Sequence, residues 1–369
     1  MEENKVNPSV SLREIFIYNC LALSFLILYV TGSSFPIFRS FLLLNFILIV
    51  FFVAFKTKKI IISNFTLFVL MFFILASIIN RSFDLYISVF FCFILIIQPL
   101  TFNLDSNKLN KIINNSLIFL IGLSLLIYLS DGYSLNQRFS GFSGSGTTYS
   151  TYLLAIFTFI VFLEDKLSKK IFYSIPVIFF IIISQTRTSF LLFLGVIVLY
   201  YFRFYVGKRL SFFFFISLIA AILYYPIINL ASIFVNLDIT GRYDDVDYST
   251  MTRLTYFTNQ VNALINMDLL EILFGKGINE SLKIGSKNSY SLIDQHNDFF
   301  TLIYDYGIIF LIVFLTFLKK QCTSVISLAI VIIYLFSFYH NMVYDILLIF
   351  LIYLARNSQS QDHEIHKTC

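Results

Sequence analysis

Long apolar runs separated by short polar stretches dominate the sequence. A helix needs roughly 20 apolar residues to cross a hydrocarbon core of about 30 Å, and runs near that length recur along the chain. We interpret them as about 12 transmembrane helices in one all-α, polytopic integral membrane domain over residues 1–369. The predicted spans lie near residues 15–31, 37–55, 60–79, 84–102, 111–130, 147–163, 171–184, 188–205, 210–235, 298–318, 322–339 and 343–356.

One polar interruption is much longer than the others and covers residues 236–297, between the ninth and tenth predicted spans. Within it, apolar residues from Met251 to Ile265 recur at three- and four-residue spacing, which predicts an amphipathic helix. Ser249 or Thr250 is the expected cap of this helix, and Gly275 and Gly277 are expected to mark its exit. Residues 357–369 form a predicted cytoplasmic tail.

Composition supports the same class of protein. The chain is 58% hydrophobic and 13% charged, with a mean hydropathy of +0.84, which are values of membrane proteins and not of soluble domains. The four cysteines are not spaced for a zinc site or paired on the outer side, and no phosphate-binding glycine loop of a nucleotide enzyme occurs. The sequence therefore predicts no metal and no nucleotide cofactor.

Lysine and arginine set the predicted orientation, because cytoplasmic loops retain positive charge. With the N-terminus inside, 17 of the 26 lysines and arginines fall on the cytoplasmic side. This asymmetry accounts for most of the net charge of +5, so that charge gives no reason to expect a nucleic-acid partner. The remaining nine are mostly arginine, whose rigid fork suits phosphate recognition. They are Arg39, Arg81, Arg138, Arg187, Arg242, Arg253, Lys276, Lys283 and Lys287.

Two of the outer arginines stand in unusual surroundings. Arg138 precedes a glycine and hydroxyl stretch that opens a helix, where backbone amides favour anions. Arg187 lies in Ser184-Gln185-Thr186-Arg187-Thr188-Ser189, a short polar break in a long apolar run, and an arginine so close to hydrocarbon is a candidate for function. In both cases the alternative is structural: an interfacial arginine, or a tight turn whose arginine extends to the lipid headgroups.

The outer side also holds the candidates for acid–base chemistry. Only His296 and His340 are predicted there, and each is followed by asparagine, Asn297 and Asn341. Histidine titrates near neutrality and can take a proton from a hydroxyl nucleophile, with Asp294 or Asp298 available to orient the ring. A structural capping role for either histidine is the alternative.

The order of these motifs resembles the bacterial O-antigen polymerase and ligase superfamily. The resemblance rests on Arg138 in a Gly/Ser loop, Ser-Gln-Thr-Arg187, Arg253 in Thr-Arg-Leu-Thr-Tyr-Phe, and Phe274-Gly275-Lys276-Gly277. Gln295-His296-Asn297-Asp298-Phe299-Phe300 and Tyr306-Gly307 complete the order, and the match covers roughly residues 130–320. It implies a C-type glycosyltransferase-like fold in the bacterial inner membrane, with residues 236–297 as a periplasmic loop.

The resemblance also implies roles. It makes Arg187 and Arg253 a pyrophosphate clamp with Arg138 as helper and Arg242 as a lesser candidate. His296 becomes the base, with Asp294, Asn297 and His340 as further substrate-binding candidates. The implied partners are undecaprenyl-pyrophosphate-linked donor and acceptor oligosaccharides, membrane lipid and a chain-length regulator protein, with no cofactor.

Polymerase is the preferred role within the superfamily, because the chain's composition resembles that of variable polysaccharide-cluster proteins. A ligase that transfers the glycan to lipid A core is the alternative. A lipid-linked oligosaccharide flippase would place its charges inside the spans, and a scaffold for polysaccharide assembly would leave the outer arginines unexplained.

Overall fold

The computed structural model describes residues 106–130, 138–141, 145–235, 248–285 and 297–357, with single positions 71, 74, 78, 84, 87, 90, 91 and 94. All regular elements in these ranges are helices. They are α1 (Ser106–Ser130), α2 (Gly146–Leu163), α3 (Leu167–Ile183), α4 (Arg187–Tyr201), α5 (Arg203–Gly207), α6 (Leu210–Val235), α7 (Tyr248–Ile265), α8 (Leu269–Phe274), α9 (Leu282–Gly285), α10 (Asp298–Gln321), α11 (Val325–Ser337), a 3₁₀ turn (Phe338–His340) and α12 (Ile346–Asn357).

The helices coincide in position with the predicted spans from 111–130 onward, but those in the predicted spans 188–205, 322–339 and 343–356 are shorter than predicted. Three stretches in the described ranges are long and apolar enough to cross a membrane: Asn107–Ser130, Gly146–Leu163 and Asp298–Gln321. The predicted spans 15–31, 37–55, 60–79 and 84–102 and the tail 358–369 lie outside the described residues, apart from the single positions. The expected total of about 12 spans is therefore not confirmed.

Local backbone features account for the shorter helices. The predicted span 188–205 is interrupted at Phe202, whose φ of −93° and ψ of 14° are not helical. The predicted span 322–339 begins only at Val325, because Ser324 and Ser327 form a capping box there. The last helix begins after Asn341, which has a left-handed φ of 57°.

Helices α11 and α12 form the centre of the bundle. Every side chain from Ile346 to Ala355 is buried, and nearly all of α11 is buried as well. A helix that is apolar all round must be surrounded by other helices, and α2, α4, α6 and α10 surround this pair. Phe90 and Phe91, in the fourth predicted span, are also part of this core, and Phe91 packs edge-on against Phe310 of α10.

The peripheral helices α1, α3, α4 and α6 expose large apolar side chains on one face. A surface of this size rimmed by polar ends is expected for contact with lipid tails and not with water. The exposed side chains include Leu126, Leu129, Phe172, Ile175, Leu191, Leu194, Phe212 and Ile219.

The lysine-bearing helix ends gather at one end of the bundle, as the predicted orientation requires. Asn110 at the start of α1 donates to Glu164 after α2, with 3.3 Å between Nδ2 and Oε2. Lys170 at the start of α3 donates to the hydroxyl of Tyr200 at the end of α4 over 2.7 Å. Lys319 at the end of α10 lies 4.7 Å from the ring centroid of Phe215 in α6. We call this the lysine end and the opposite one the arginine end.

The described part of the long polar segment, residues 248–285, folds as helices, of which α8 packs against α10. The predicted amphipathic helix is confirmed as α7, although it begins at Tyr248, before both expected caps. Its expected exit at Gly275 and Gly277 is wrong, because α7 ends at Ile265. The chain restarts as α8 behind Asp268, whose side chain accepts a hydrogen bond from the Glu271 amide over 2.8 Å.

The main chain at the end of α8 is in direct contact with the main chain of α10. Gly307 interrupts α10 with φ 86° and ψ 166°, a conformation open essentially only to glycine. The kink leaves the carbonyl oxygens of Tyr304 and Asp305 to accept from the amides of Lys276 and Gly277, over 2.8 and 3.1 Å. A methyl group at Gly307 would lie 2.1 Å from the carbonyl oxygen of Leu273, so only glycine allows this approach.

The Asp305 carboxylate completes the joint. It is buried and accepts hydrogen bonds from the amide of Asn279 over 3.1 Å and from the amide and hydroxyl of Ser281 over 2.8 and 3.1 Å. A carboxylate in such a place is tolerated because several donors replace its lost hydration. The motifs Phe274-Gly275-Lys276-Gly277 and Tyr306-Gly307 are thus the two halves of one contact.

We predict that Gly307→Ala lowers the melting temperature of the purified protein by several degrees. Alanine would be strained by about 1–3 kcal/mol at this φ and ψ, and its methyl group would collide with α8. The matched control is Gly195→Ala in α4, where an added methyl group meets nothing within 4 Å. The control is expected to melt at or above the wild-type temperature, and equal melting of the two variants would contradict the docking argument.

Candidate functional site

Arg138 lies directly against the turn that precedes Arg187. Its Nε donates to the carbonyl oxygen of Ser184 over 2.9 Å, and the amide of Phe139 donates to the carbonyl oxygen of Ile183 over 3.0 Å. Residues 138–141 therefore pack along the end of α3. Arg138 is exposed while Phe139 is fully buried, so the segment is anchored by its phenylalanine and presents its arginine at the surface.

The break in the apolar run is a tight turn between α3 and α4, which is the structural alternative considered for this sequence. Gln185 occupies the left-handed region with a φ of 51°, Thr186 is the N-cap residue, and Arg187 is the exposed first residue of α4. The turn and the functional interpretation are compatible, because the turn brings Arg187 and Arg138 to the same small region.

A chain of buried hydroxyl groups holds the start of α2 against the start of α4. Ser184 bonds Thr186 over 2.9 Å, Thr186 donates to Ser150 over 2.9 Å, and Ser150 bonds Ser189 over 2.7 Å. All four residues are buried. Gly146 opens α2 beside them, and a methyl group there would lie 2.9 Å from Arg138 Nε and 3.0 Å from the Ser184 oxygen.

Two helix N-termini consequently lie side by side at the arginine end. The first amides of a helix have no partner within the helix, and they carry the positive end of the helix dipole. Neither N-cap residue caps its helix with its side chain, because the Ser145 hydroxyl bonds Thr147 and the Thr186 hydroxyl bonds Ser150. With Arg138 and Arg187 added, the region favours an anion with several oxygens.

Aromatic contacts lead from α4 to the 3₁₀ turn that contains His340. Thr188 bonds the hydroxyl of Tyr224 in α6 over 2.7 Å, and the Tyr224 ring lies 6.0 Å from the ring of Tyr339. The Tyr339 hydroxyl donates to the carbonyl oxygen of Ala221 over 2.7 Å. Tyr339 also lies 6.0 Å from Phe299 near the start of α10. His340 follows Tyr339, so it belongs to the same end of the bundle.

Asn297 and Asp298 have structural partners at the start of α10. The Asn297 side chain accepts from the amide of Phe300 over 3.3 Å as an N-cap and donates to Gln260 of α7 over 3.0 Å. Asp298 is buried, and its Oδ2 accepts from the amide of Val343 over 2.7 Å. Asp298 thus holds the segment after His340 through this hydrogen bond.

The long loop carries one further cation close to α10. Lys276 pairs with Glu271, with 3.1 Å between Nζ and Oε2. Burial lowers the pKa of Lys276, but the hydrogen bond to Glu271 and the nearby Tyr304 raise it more, so the pKa lies above its usual value. Lys276 is therefore charged at neutral pH and already paired, which marks it as part of the loop joint.

The structure describes some of the predicted site residues and not others. Arg138 and Arg187 are neighbours, and Asn297 and His340 lie on the other side of the same end. Arg253 lies in α7, two turns or roughly 10 Å before Gln260. Arg242, Asp294 and His296 lie outside the described residues, although His296 directly precedes Asn297.

Sequence reasoning missed several residues that build this end. Gln260 stands seven residues after Arg253, a spacing that puts both on one face of a helix and could have indicated its importance. Tyr224 and Tyr339 gave no such signal, because their contacts depend on how α4, α6 and α10 pack. Gly146 belongs to the predicted Gly/Ser loop, but its close approach to Arg138 depends on the tertiary fold.

The described residues form an all-helical protein in which three helices are long and apolar enough to cross a membrane. Arg138 and Arg187 lie at one end of the helix bundle. No protein-family model matches the chain, and no curated protein matches it by sequence. Its chemistry must therefore be argued from its own residues.

We predict that Asp298→Ala destabilises the protein by about 1–3 kcal/mol, because the buried amide of Val343 would lose its acceptor. Thermal unfolding in detergent measures the loss. Asp165→Ala, at an exposed position in the α2–α3 connection, is the control and is expected to melt like the wild type. An unchanged melting temperature for Asp298→Ala would contradict this anchoring role. Orientation of a histidine ring would then be the role that remains for the carboxylate.

Proposed function

We propose that the protein is an O-antigen polymerase, a glycosyltransferase of the bacterial inner membrane. It transfers a growing glycan from undecaprenyl pyrophosphate to the terminal sugar of a lipid-linked repeat unit. The reaction takes place at the periplasmic face, at the arginine end. The acceptor hydroxyl attacks the anomeric carbon, the bond from that carbon to the pyrophosphate oxygen breaks, and the hydroxyl proton passes to a base.

The contact between Arg138 and the α3–α4 turn carries the proposal. It puts two guanidinium groups beside two helix N-termini, and such donors favour the charge that develops on a departing pyrophosphate. Arg187 and Arg253 clamp the pyrophosphate, Arg138 assists, and Arg242 is a weaker candidate. His296 is the base, while Asp294, Asn297 and His340 contribute to binding the sugars.

The partners of the acidic residues in α10 favour an enzyme over a flippase. A transporter that binds charged substrate within its spans would keep ionisable groups facing a central cavity. Asp298 and Asp305 are instead held by amides of Val343, Asn279 and Ser281. Arg138 and Arg187, which are exposed at the surface of the bundle, are the charges that we assign to the substrate.

Deletion of the gene in its source bacterium tests the reaction. We expect surface polysaccharide, resolved on a gel, to show lipid A core carrying one repeat unit, because export and ligation continue without polymerisation. Bare core with long lipid-linked chains would instead mean a ligase. Bare core with repeat units trapped on the cytoplasmic side would mean a flippase and would overturn the catalytic proposal.

Complementation of that strain with variants tests the clamp as part of the same experiment. Arg187→Ala and Arg253→Ala are expected to leave a single repeat on core although both variants insert in the membrane. Lys283→Ala is the control, since this lysine is exposed and pairs with Glu280, three residues earlier in the chain. Long chains in both arginine variants would remove the clamp.

We predict that His296→Ala reduces chain length more severely than His340→Ala. The base must meet the acceptor hydroxyl, whereas His340 follows Tyr339, which packs on α6 and α10. The same gel ranks the two variants at equal expression. The reverse ranking would move the active centre to the 3₁₀ turn.

A further inference from the structure

The lysine end carries a second concentration of cations, at the junction of α4 and α5. The sequence there is Tyr200-Tyr201-Phe202-Arg203-Phe204-Tyr205, and it faces Lys170 at the start of α3. Nothing in the proposed glycan chemistry uses these residues, because they lie at the opposite end of α4 from Arg187. They nevertheless have a defined arrangement.

Lys170 and Arg203 converge on one tyrosine. The Lys170 Nζ donates to the Tyr200 hydroxyl over 2.7 Å and lies 4.1 Å from the ring centroid. The Arg203 guanidinium carbon lies 4.5 Å from the same centroid, and its Nη1 donates to the Tyr200 carbonyl oxygen over 3.2 Å. Two positive charges therefore lie against one tyrosine ring. They repel each other unless an anion lies between them.

No carboxylate among the described residues neutralises this pair. Glu164, the buried acid nearby, pairs with Lys169 over 3.3 Å, and its pKa stays below its usual value: burial raises it, but hydrogen bonds from Lys166, Lys169 and Asn110 outweigh that effect. The surroundings add positive charge from Lys166, Lys208 and Arg209, which are all exposed. The Tyr200 hydroxyl accepts from Lys170 and keeps its own O–H to donate.

The neighbouring side chains are apolar and exposed. Tyr201, Phe202 and Phe204 are 73%, 60% and 67% exposed, and Phe172, in the first turns of α3, is 67% exposed. Large aromatic side chains between cations at the end of an apolar bundle are typical of the interface between headgroups and acyl chains. A free phosphate would not cover these rings, whereas a phospholipid would cover both the rings and the charges.

We infer that Lys170, Tyr200 and Arg203 bind the phosphate of an anionic glycerophospholipid in the cytoplasmic leaflet. The two cations contact phosphate oxygens, and the Tyr200 hydroxyl donates to a third. The acyl chains lie along the exposed face of α3, which includes Ile171, Phe172 and Ile175. This site is independent of the proposed glycosyl transfer, because it lies at the other end of the bundle.

Native mass spectrometry of the full-length protein in detergent, with phosphatidylglycerol added, tests the site. The loss of one charge-assisted hydrogen bond weakens binding about tenfold or more, so Lys170→Gln/Arg203→Gln, which removes two, is expected to weaken binding of phosphatidylglycerol by about a hundredfold. The matched control, Lys166→Gln/Lys208→Gln, removes the same charge from exposed positions at the same end. It is expected to keep the lipid.

Three results would overturn the inference: equal loss of lipid in both double variants, equal binding of phosphatidylcholine by the wild type, or displacement of the lipid by inorganic phosphate at equal concentration. A monodisperse size-exclusion peak establishes that each variant is folded. If the double variant aggregates, Arg203→Gln alone decides the matter, with about tenfold weaker binding expected for the loss of one charge-assisted contact. Unchanged binding in that single variant would count against the site.

Discussion

The contact between Gly275 and Gly307 is the constraint on which the outer half of the protein depends. Each glycine has a positive φ, and a methyl group on either would lie within 2.4 Å of backbone atoms of the other segment. The kink at Gly307 leaves carbonyl groups of α10 to accept from the amides of Lys276 and Gly277 after α8, while the Asp305 carboxylate accepts from the amides of Asn279 and Ser281. The loop is thereby fixed to α10 by main-chain bonds. Side-chain variation elsewhere in the loop leaves that joint intact.

This joint determines where the candidate site residues can lie. It fixes the loop on α10 near Asp305, and Asn297 fixes α7 to the start of the same helix through Gln260. Asp298 fixes the segment after His340 to the same helix, because its carboxylate accepts a hydrogen bond from the amide of Val343. One helix, α10, therefore carries separate anchors for α7, for α8 and for the loop before α12. Each candidate residue is close in sequence to one of these anchors. Arg253 lies seven residues before Gln260, His296 directly precedes Asn297, and His340 lies three residues before Val343.

The sequence predicted the helices well where apolar patterning alone decides them, as in α1, α2 and α6. It failed where a distant contact decides. The kink at Gly307 lies inside the predicted span 298–318, at the point where α8 packs against α10. The break between α7 and α8 follows from the Asp268 capping box, a local signal that the apolar spacing concealed. For the site, the Ser-Gln-Thr-Arg sequence indicated a tight turn as one of two interpretations, and the structure has that turn. The pairing of Arg138 with Ser184 could not be predicted, because the two are distant in sequence.

The buried hydroxyl chain explains how such a polar end can be both stable and prepared for an anion. Ser184, Thr186, Ser150 and Ser189 satisfy one another, so their burial leaves no donor without an acceptor and locks the starts of α2 and α4 together. Thr186, the N-cap residue of α4, bonds Ser150 and does not cap its helix, while Ser145, the N-cap residue of α2, bonds Thr147 outside this chain of hydroxyls. Donors that are fixed before the substrate arrives need little reorganisation when negative charge develops, and this is the condition under which they stabilise a transition state most. The network that holds the two helices together thus leaves the first amides of α4 without a side-chain cap, and the Ser145–Thr147 bond does the same for α2.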